Sequence, residues 1–214
     1  MCIQFFRPRA ADEVMEHVRY FVGTAMIIVG PLGLLYWLII HSWARWWRAC
    51  GLIRTYLAIL PGLGALGVLL FHYRQQLLGR DLGTNWSLIG VALVLCFPMI
   101  WLELQYWRQL SVSTLVGIPE LSQRKGTLRR EGIYGVVRHP RYLSAGISLL
   151  AEALIVNYLG FYIFLLLVAP PGCLMLVLEE RELVDRFGDA YRKYQKDVPC
   201  IFPRLRGERR QNRL

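Results

Sequence analysis

The chain has 214 residues, of which 55% are hydrophobic and only 19% charged, and its formal net charge is +10. Its apolar residues fall into long uninterrupted blocks, which excludes an ordinary soluble globule and makes the bilayer the expected solvent. The basic excess follows membrane topology and lacks the readout motifs of a nucleic-acid binder, so membrane lipids, not nucleic acid, are the expected partners of the positive charge.

Residues 1–19 read as a short amphipathic lead-in, with Val14 and Val18 spaced for one helical face. Asp12, Glu13 and Glu16 precede the first apolar run, which is too long for the core of a cleavable signal peptide. That run, residues 20–40, holds 21 uncharged residues, enough at about 1.5 Å each to cover the roughly 30 Å hydrocarbon core. The segment 41–56 mixes Trp43, Trp46 and Trp47 with Arg45, Arg48 and Arg54, a composition suited to head-group depth. Residues 55–71 and 86–102 each give 17 uncharged residues, the short end of the spanning range. Gly62-Leu63-Gly64-Ala65-Leu66-Gly67 matches a dinucleotide fingerprint, but such a fingerprint needs a preceding strand. Inside an apolar span, close helix packing through small residues is the expected role.

The connection 108–141 is long, and loops of this length are usually functional or disordered. It ends in Gly132-x-Tyr134-x3-Arg138-His139-Pro140-x-Tyr142. Pro140 keeps His139 out of the helical region and suits the opening of a helix itself. Residues 142–158 are interrupted only by Glu152, and 159–178 give 20 uncharged residues. Asn157-Tyr158-Leu159-Gly160 leaves room only for a tight turn, so these two spans form an antiparallel hairpin. The hairpin returns Glu179 and Glu180 to the neighbourhood of Arg138 and His139. Pro170-Pro171-Gly172 is expected to kink or break the second helix. Ser144, Ser148 and Glu152 share one helical face, and a carboxylate there needs a partner, a cavity or a proton. After Glu180, the spacing of Leu183, Phe187, Tyr191 and Tyr194 predicts one amphipathic helix folding its aromatic face over the hairpin mouth.

The fold class is therefore all-α: a polytopic integral-membrane helical bundle of about five transmembrane helices with a C-terminal cytoplasmic amphipathic helix. It divides into residues 1–107, with the lead-in and three spans, and 108–214, with the loop, hairpin and covering helix. Five spans place 20 Lys and Arg on one side and 5 on the other, which sets the C-terminus in the cytoplasm of a bacterial inner membrane or endoplasmic reticulum protein. Cys2, Cys50, Cys96, Cys173 and Cys200 are scattered without a C-x-x-C pair, so neither a disulfide framework nor a metal site is indicated.

Over roughly residues 102–203, the order Gly132-x-Tyr134, Arg138-His139-Pro140-x-Tyr142, Glu179-Glu180 and Phe187-Gly188-x2-Tyr191-x2-Tyr194 resembles the isoprenylcysteine carboxyl methyltransferase and phospholipid methyltransferase superfamily. The resemblance implies S-adenosylmethionine as methyl donor, bound at the cytoplasmic end of the last helices. It also implies a lipophilic or lipidated acceptor that enters from the membrane. On it, Gly132, Tyr134, Arg138, His139, Pro140, Tyr142, Glu179, Glu180, Tyr191 and Tyr194 are the expected donor-binding residues; Arg138, Glu180 and, from its place as an acid inside a span, Glu152 are the expected catalytic ones. Family members often carry Gly two positions after the motif tyrosine, where this chain has Ser144.

The residues suit that donor in their own right. Glu179 or Glu180 can pair its ammonium, and Arg138 can grip a carboxylate of donor or acceptor. A tyrosine among Tyr134, Tyr142, Tyr191 and Tyr194 can face the methylated cation. A prenylcysteine-type carboxylate needs no base, whereas a phospholipid amine must lose a proton, for which Glu180, Glu179 or Glu152 is available. Two rival readings stand beside this one. One is an NADPH-dependent membrane reductase resembling the sterol reductases, which share the Arg-His-Pro-x-Tyr turn. The other is a non-catalytic membrane protein whose charged cluster is only a lock.

Overall fold

The computed structural model describes residues 10–108 and 127–203. Its elements are α1 (Ala10–Ser42), α2 (Ala44–Cys50), α3 (Leu52–His72), α4 (Arg74–Leu78), α5 (Trp86–Trp107), a 3-10 turn (Gly132–Gly135), α6 (Pro140–Val156), α7 (Leu159–Phe187) and α8 (Asp189–Asp197). Among the described residues, the only β pairing is an isolated bridge between Asp81 and Tyr158. The expected all-α membrane bundle is what forms.

Among the described residues, four helices, α1, α3, α5 and α7, are long and apolar enough to cross a membrane. They are greasy on every side, and Phe21, Leu57, Phe97 and Leu166 stand exposed, which suits helices surrounded by lipid. The fourth expected span appears as α6, with 17 residues and Glu152 inside it. At about 1.5 Å per residue it is only about 26 Å long. Pro140 occupies the first turn of α6, where a missing N–H costs nothing, and Asn157 closes the helix in the left-handed region at φ 49°.

Three local expectations change. The first span does not follow a separate lead-in: α1 is continuous from Ala10, because nothing between Asp12 and Tyr20 breaks a helix, while residues 1–9 lie outside the described residues. The break expected as one outcome at Pro170-Pro171-Gly172 does not occur, since α7 is one helix through it; leaving the helix in an apolar medium would strand more backbone groups than the two prolines do. Finally, the amphipathic segment is two helices. Leu183 and Phe187 end α7, Gly188 breaks it at φ 59°, and Tyr191 and Tyr194 sit on α8, yet all four still pack in one cluster with Leu128 and Val198.

The fingerprint-like glycines lie inside α3. A Cβ on Gly67 would press Leu32 at 3.3 Å, so α1 packs closely there, whereas Gly62 and Gly64 face open space. The hairpin turn is held more tightly. A Cβ at Gly160 would collide with the backbone of Leu77 and Leu78, so α4 lies directly on the start of α7.

Arg19 of α1 clamps that turn. It is 1% exposed and donates from Nε to the Val156 carbonyl at 3.0 Å, from Nη1 to Thr84 at 3.2 Å, and from Nη2 to Asp81. Asn157 completes the junction by donating to the Gly83 carbonyl at 2.8 Å. Burial alone would raise the Asp81 pKa; the Gly83 N–H and Arg19 outweigh it and hold the carboxyl below its ordinary value. Because the folded pKa is depressed, this stabilisation is present above the ordinary value of 3.8 and is lost as pH falls through the folded one. Asp81→Asn should lower stability in detergent at pH 7 by on the order of 2 kcal/mol, less than for a fully buried pair because the Asp81 side chain is 34% exposed. The gap between wild type and variant, followed by thermal melting, should narrow below pH 4.

Candidate active site

The register of the hairpin decides what meets at its mouth. Arg138 and His139 lie about nineteen residues before the Asn157–Tyr158 turn and Glu180 about twenty-two after it, so at about 1.5 Å per residue they end within one helical turn of each other in height. Helix α7 has 29 residues, about 44 Å, and therefore outruns a hydrocarbon core of roughly 30 Å. Its last two and a half turns, with Glu179, Glu180 and Glu182, reach about the membrane edge or beyond.

Glu180 is the meeting point. Its Oε1 accepts from Arg138 Nε at 2.9 Å, His139 Nε2 at 2.8 Å and the Tyr191 hydroxyl at 2.9 Å. Its Oε2 accepts from Arg138 Nη2 at 3.1 Å and Gln195 Nε2 at 2.6 Å. Five donors saturate a carboxylate, which offers about four lone-pair directions. Arg138 is equally committed, since its Nη1 donates to the carbonyls of Gln195 and Val198 at 2.8 and 2.6 Å. Burial would lower the Arg138 pKa, but the Glu180 carboxylate outweighs it and raises it, so the guanidinium stays charged.

The backbone makes the same connection. Pro140 forces the preceding residues out of the helix, and their freed N–H groups pair with the tail: Arg138 N to Pro199 O at 2.9 Å and His139 N to Cys200 O at 3.0 Å. Tyr194 donates to the Tyr134 carbonyl at 2.6 Å, which ties α8 to the 3-10 turn. Gly132 enters that turn at φ 59°, a conformation that favours glycine. Burial pushes the Tyr194 hydroxyl up to about 12.

Glu179 is different. Its Oε2 accepts from the Tyr142 hydroxyl at 2.6 Å and its Oε1 lies 3.9 Å from His139 Nδ1. Its side chain is 28% exposed, so it retains acceptor capacity that Glu180 lacks. The Tyr142 ring meets His139 edge-on at 5.5 Å.

The structure thus brings together Tyr134, Arg138, His139, Pro140, Tyr142, Glu179, Glu180, Tyr191 and Tyr194, with Gly132 opening the turn beside them. It does not bring Glu152 there. That residue lies ten positions past Tyr142 along α6, accepts from Ser148 at 2.7 Å, and leaves Oε2 buried without a hydrogen bond. Ser144, at the position often held by Gly, is fully buried and donates to Glu103 of α5 at 2.8 Å, so α5 and α6 gain a hydrogen bond where a glycine would only allow contact. Two participants escape sequence reading. Gln195 is detectable as the i+4 neighbour of Tyr191, while Glu103 is a lone acid at the end of a span. Ligand atoms of His139, Glu180 and Cys200 lie within 4.8 Å of one another, but the Arg138 charge already faces the same carboxylate and opposes a cation there.

No protein-family model matches the chain, and no solved structure matches it. Two curated proteins do. The chain is 36% identical over 81 residues, 38% of its length, to methanethiol S-methyltransferase of Pseudomonas deceptionensis. It is 36% identical over 74 residues, 34% of its length, to protein-S-isoprenylcysteine O-methyltransferase of Schizosaccharomyces pombe. The matched stretches span 30% and 31% of those relatives' own lengths. The resemblance to the isoprenylcysteine methyltransferase family read from the motifs is borne out by both.

Glu180→Ala should leave Arg138 facing a void and free the tail. Breaking a buried pair costs about 3 kcal/mol or more, so amide exchange over residues 189–203 should accelerate roughly 100-fold. The wild-type tail should also loosen in alkali: the folded Tyr194 pKa is raised, so its stabilisation is intact below the ordinary 10 and is lost as pH climbs through about 12. Hydrogen exchange mass spectrometry reads the first effect, and tyrosine absorbance against pH reads the second.

Proposed function

We propose that the chain is an integral-membrane methyltransferase that uses S-adenosylmethionine and methylates a lipophilic acceptor at the cytoplasmic face of the membrane. The observation that carries this reading is the closure of α6 mouth, α7 end and tail around Glu180, beside which Glu179, bonded to Tyr142 and 28% exposed, keeps acceptor capacity. The cytoplasmic placement of the C-terminus rests on the distribution of Lys and Arg.

The donor set fits S-adenosylmethionine. Glu179 Oε1, engaged only by His139 Nδ1 at 3.9 Å, keeps capacity for an ammonium, and Tyr142 stands beside it to face a cation. When bound, this donor supplies an electrophilic methyl on a sulfonium. Such a displacement demands alignment and exclusion of water more than acid catalysis. Arg138 and Glu180, saturated by each other and by the tail, act as positioning residues: they hold α8 and residues 198–200 over the mouth. Tyr191 and Gln195 fasten the same lid from its own side. Glu179, Tyr142 and Tyr134 are the residues assigned to touch the donor.

The two relatives are named for a thiol and a prenylcysteine acceptor, and for this chain the acceptor class is a sulfur or carboxyl group on a greasy molecule. The purified protein in detergent should bind S-adenosylhomocysteine saturably by calorimetry and show no saturable binding of NADPH. Glu179→Ala should weaken that binding about 10-fold or more, the value of a charge-assisted hydrogen bond, with little change in melting temperature. Unchanged affinity in the variant contradicts the assignment, and saturable NADPH binding in its place contradicts the reading itself.

A further inference from the structure

Arg141 is the odd cation of the mouth. Arg138 and His139 turn toward the tail, but Arg141, on the first turn of α6, turns toward α1. Its guanidinium carbon stands 5.4 Å from the centroid of the Trp37 ring. The side chain is half-buried, and among the described residues neither an ion pair nor a hydrogen bond engages it. The aromatic residues around it come from four elements. Trp37 belongs to α1, and the Arg141 charge acts on the hydroxyls of Tyr106 of α5, Tyr134 of the 3-10 turn and Tyr142 of α6. Glu179 accepts from the hydroxyl of Tyr142, the residue next to Arg141, at 2.6 Å, so a cation and a carboxylate both serve the first turn of α6.

A guanidinium held against π faces keeps its charge but loses water, and its in-plane N–H donors remain available. Trp37 lies on α1, a helix long and apolar enough to cross a membrane, whereas Arg138 and His139 face the tail, so Arg141 serves a different partner from its two neighbours. An amine acceptor gains nothing from such a neighbour: as ammonium it is repelled, and a guanidinium cannot take its proton. An anion gains both charge and a fork of donors.

We propose that Arg141 receives the nucleophilic group of the acceptor as an anion, a carboxylate or thiolate, and thereby selects oxygen or sulfur acceptors over amines. This rests on the methyltransferase reading above. In the transfer, a lone pair of the anion forms the new bond to the methyl carbon, and the carbon–sulfur bonding pair returns to the sulfonium sulfur. No proton has to move, so no base is required.

The test compares wild type with Arg141→Gln and Arg141→Lys in nanodiscs. Three acceptors are offered with radiolabelled donor: an N-acylated S-prenylcysteine, an alkyl thiol, and phosphatidylethanolamine in the disc itself. Calorimetry measures S-adenosylhomocysteine affinity and, separately, binding of the prenylcysteine carboxylate. The expected result is methylation of the carboxylate or the thiol, not the amine lipid. In Arg141→Gln, the KM or Kd for the productive anion should rise about 10-fold or more, with partial recovery in the Lys variant and unchanged S-adenosylhomocysteine affinity. With the thiol, the acid limb of kcat, which reports the bound thiol, should move to higher pH in Arg141→Gln, a shift that a merely structural residue does not cause.

Parallel loss of S-adenosylhomocysteine affinity would give Arg141 to the donor and overturn the proposal. So would unaltered acceptor binding in Arg141→Gln, or wild-type methylation of phosphatidylethanolamine. If wild type fails to bind S-adenosylhomocysteine at all, the methyltransferase reading falls and this proposal with it; if wild type binds it and only the Arg141 comparison fails, that reading stands alone.

Discussion

One carboxylate organises the mouth of this bundle. Glu180 accepts five hydrogen bonds from Arg138, His139, Tyr191 and Gln195, so it joins three separate parts of the chain: its own α7, the entry to α6, and α8. Left unpaired, a carboxylate with a 17% exposed side chain would cost several kcal/mol. Each donor likewise needs the carboxylate. The interaction is therefore close to all-or-none: the α6 mouth, the end of α7 and the tail are arranged together or not at all. The two backbone bonds from Arg138 and His139 to Pro199 and Cys200 extend the same closure into the main chain, beyond the reach of side-chain rotation.

The hairpin is fastened at both ends by the same device, a guanidinium reading carbonyls and one carboxylate. At the turn, Arg19 ties α1 to Val156, Thr84 and Asp81; at the mouth, Arg138 ties α6 to Glu180, Gln195 and Val198. Between them the helices offer mostly apolar, lipid-facing surface, which supplies little specificity of register in a membrane. Fixing both ends sets the height at which Glu179 faces Tyr142. A third contact steadies the same edge, where Glu182, 8% exposed, accepts from His41 at 2.9 Å and lies 3.5 Å from Arg48. Helix α7 is thus held by α1 and α2 on one side and by α6 and α8 on the other.

Much of this was legible in the residues. Uncharged runs mark the spans because hydrocarbon tolerates little else, and the short Asn157–Gly160 connection forces an antiparallel hairpin, which by itself brings residues 138 and 180 together. Pro140 and Gly132 announce their backbone roles. What the sequence hid was partner choice. Glu179 and Glu180 are adjacent and chemically identical in sequence, and only the placement of Gln195 and Tyr191 on α8 makes one of them saturated and leaves the other open. Periodicity carried Leu183 to Tyr194 through Gly188 as one helix, because a glycine in an amphipathic pattern is ambiguous until its φ is known. Pro170 and Pro171 do not end the helix, since a proline's local cost is weighed in a membrane against the larger cost of unpaired backbone. Arg19 reads as an ordinary flanking cation, and nothing in its neighbours reveals that it is buried against a turn almost 140 residues away.

The central claim is that Arg138 and Glu180 act as one unit that closes the mouth. A double-mutant cycle with Arg138→Gln and Glu180→Gln, read by melting temperature and by S-adenosylhomocysteine affinity in the same detergent, tests it most directly. The account predicts a double variant scarcely worse than the weaker single one, with a coupling of about 1.5 kcal/mol or more. Additive losses, with coupling near zero in both readouts, would contradict it.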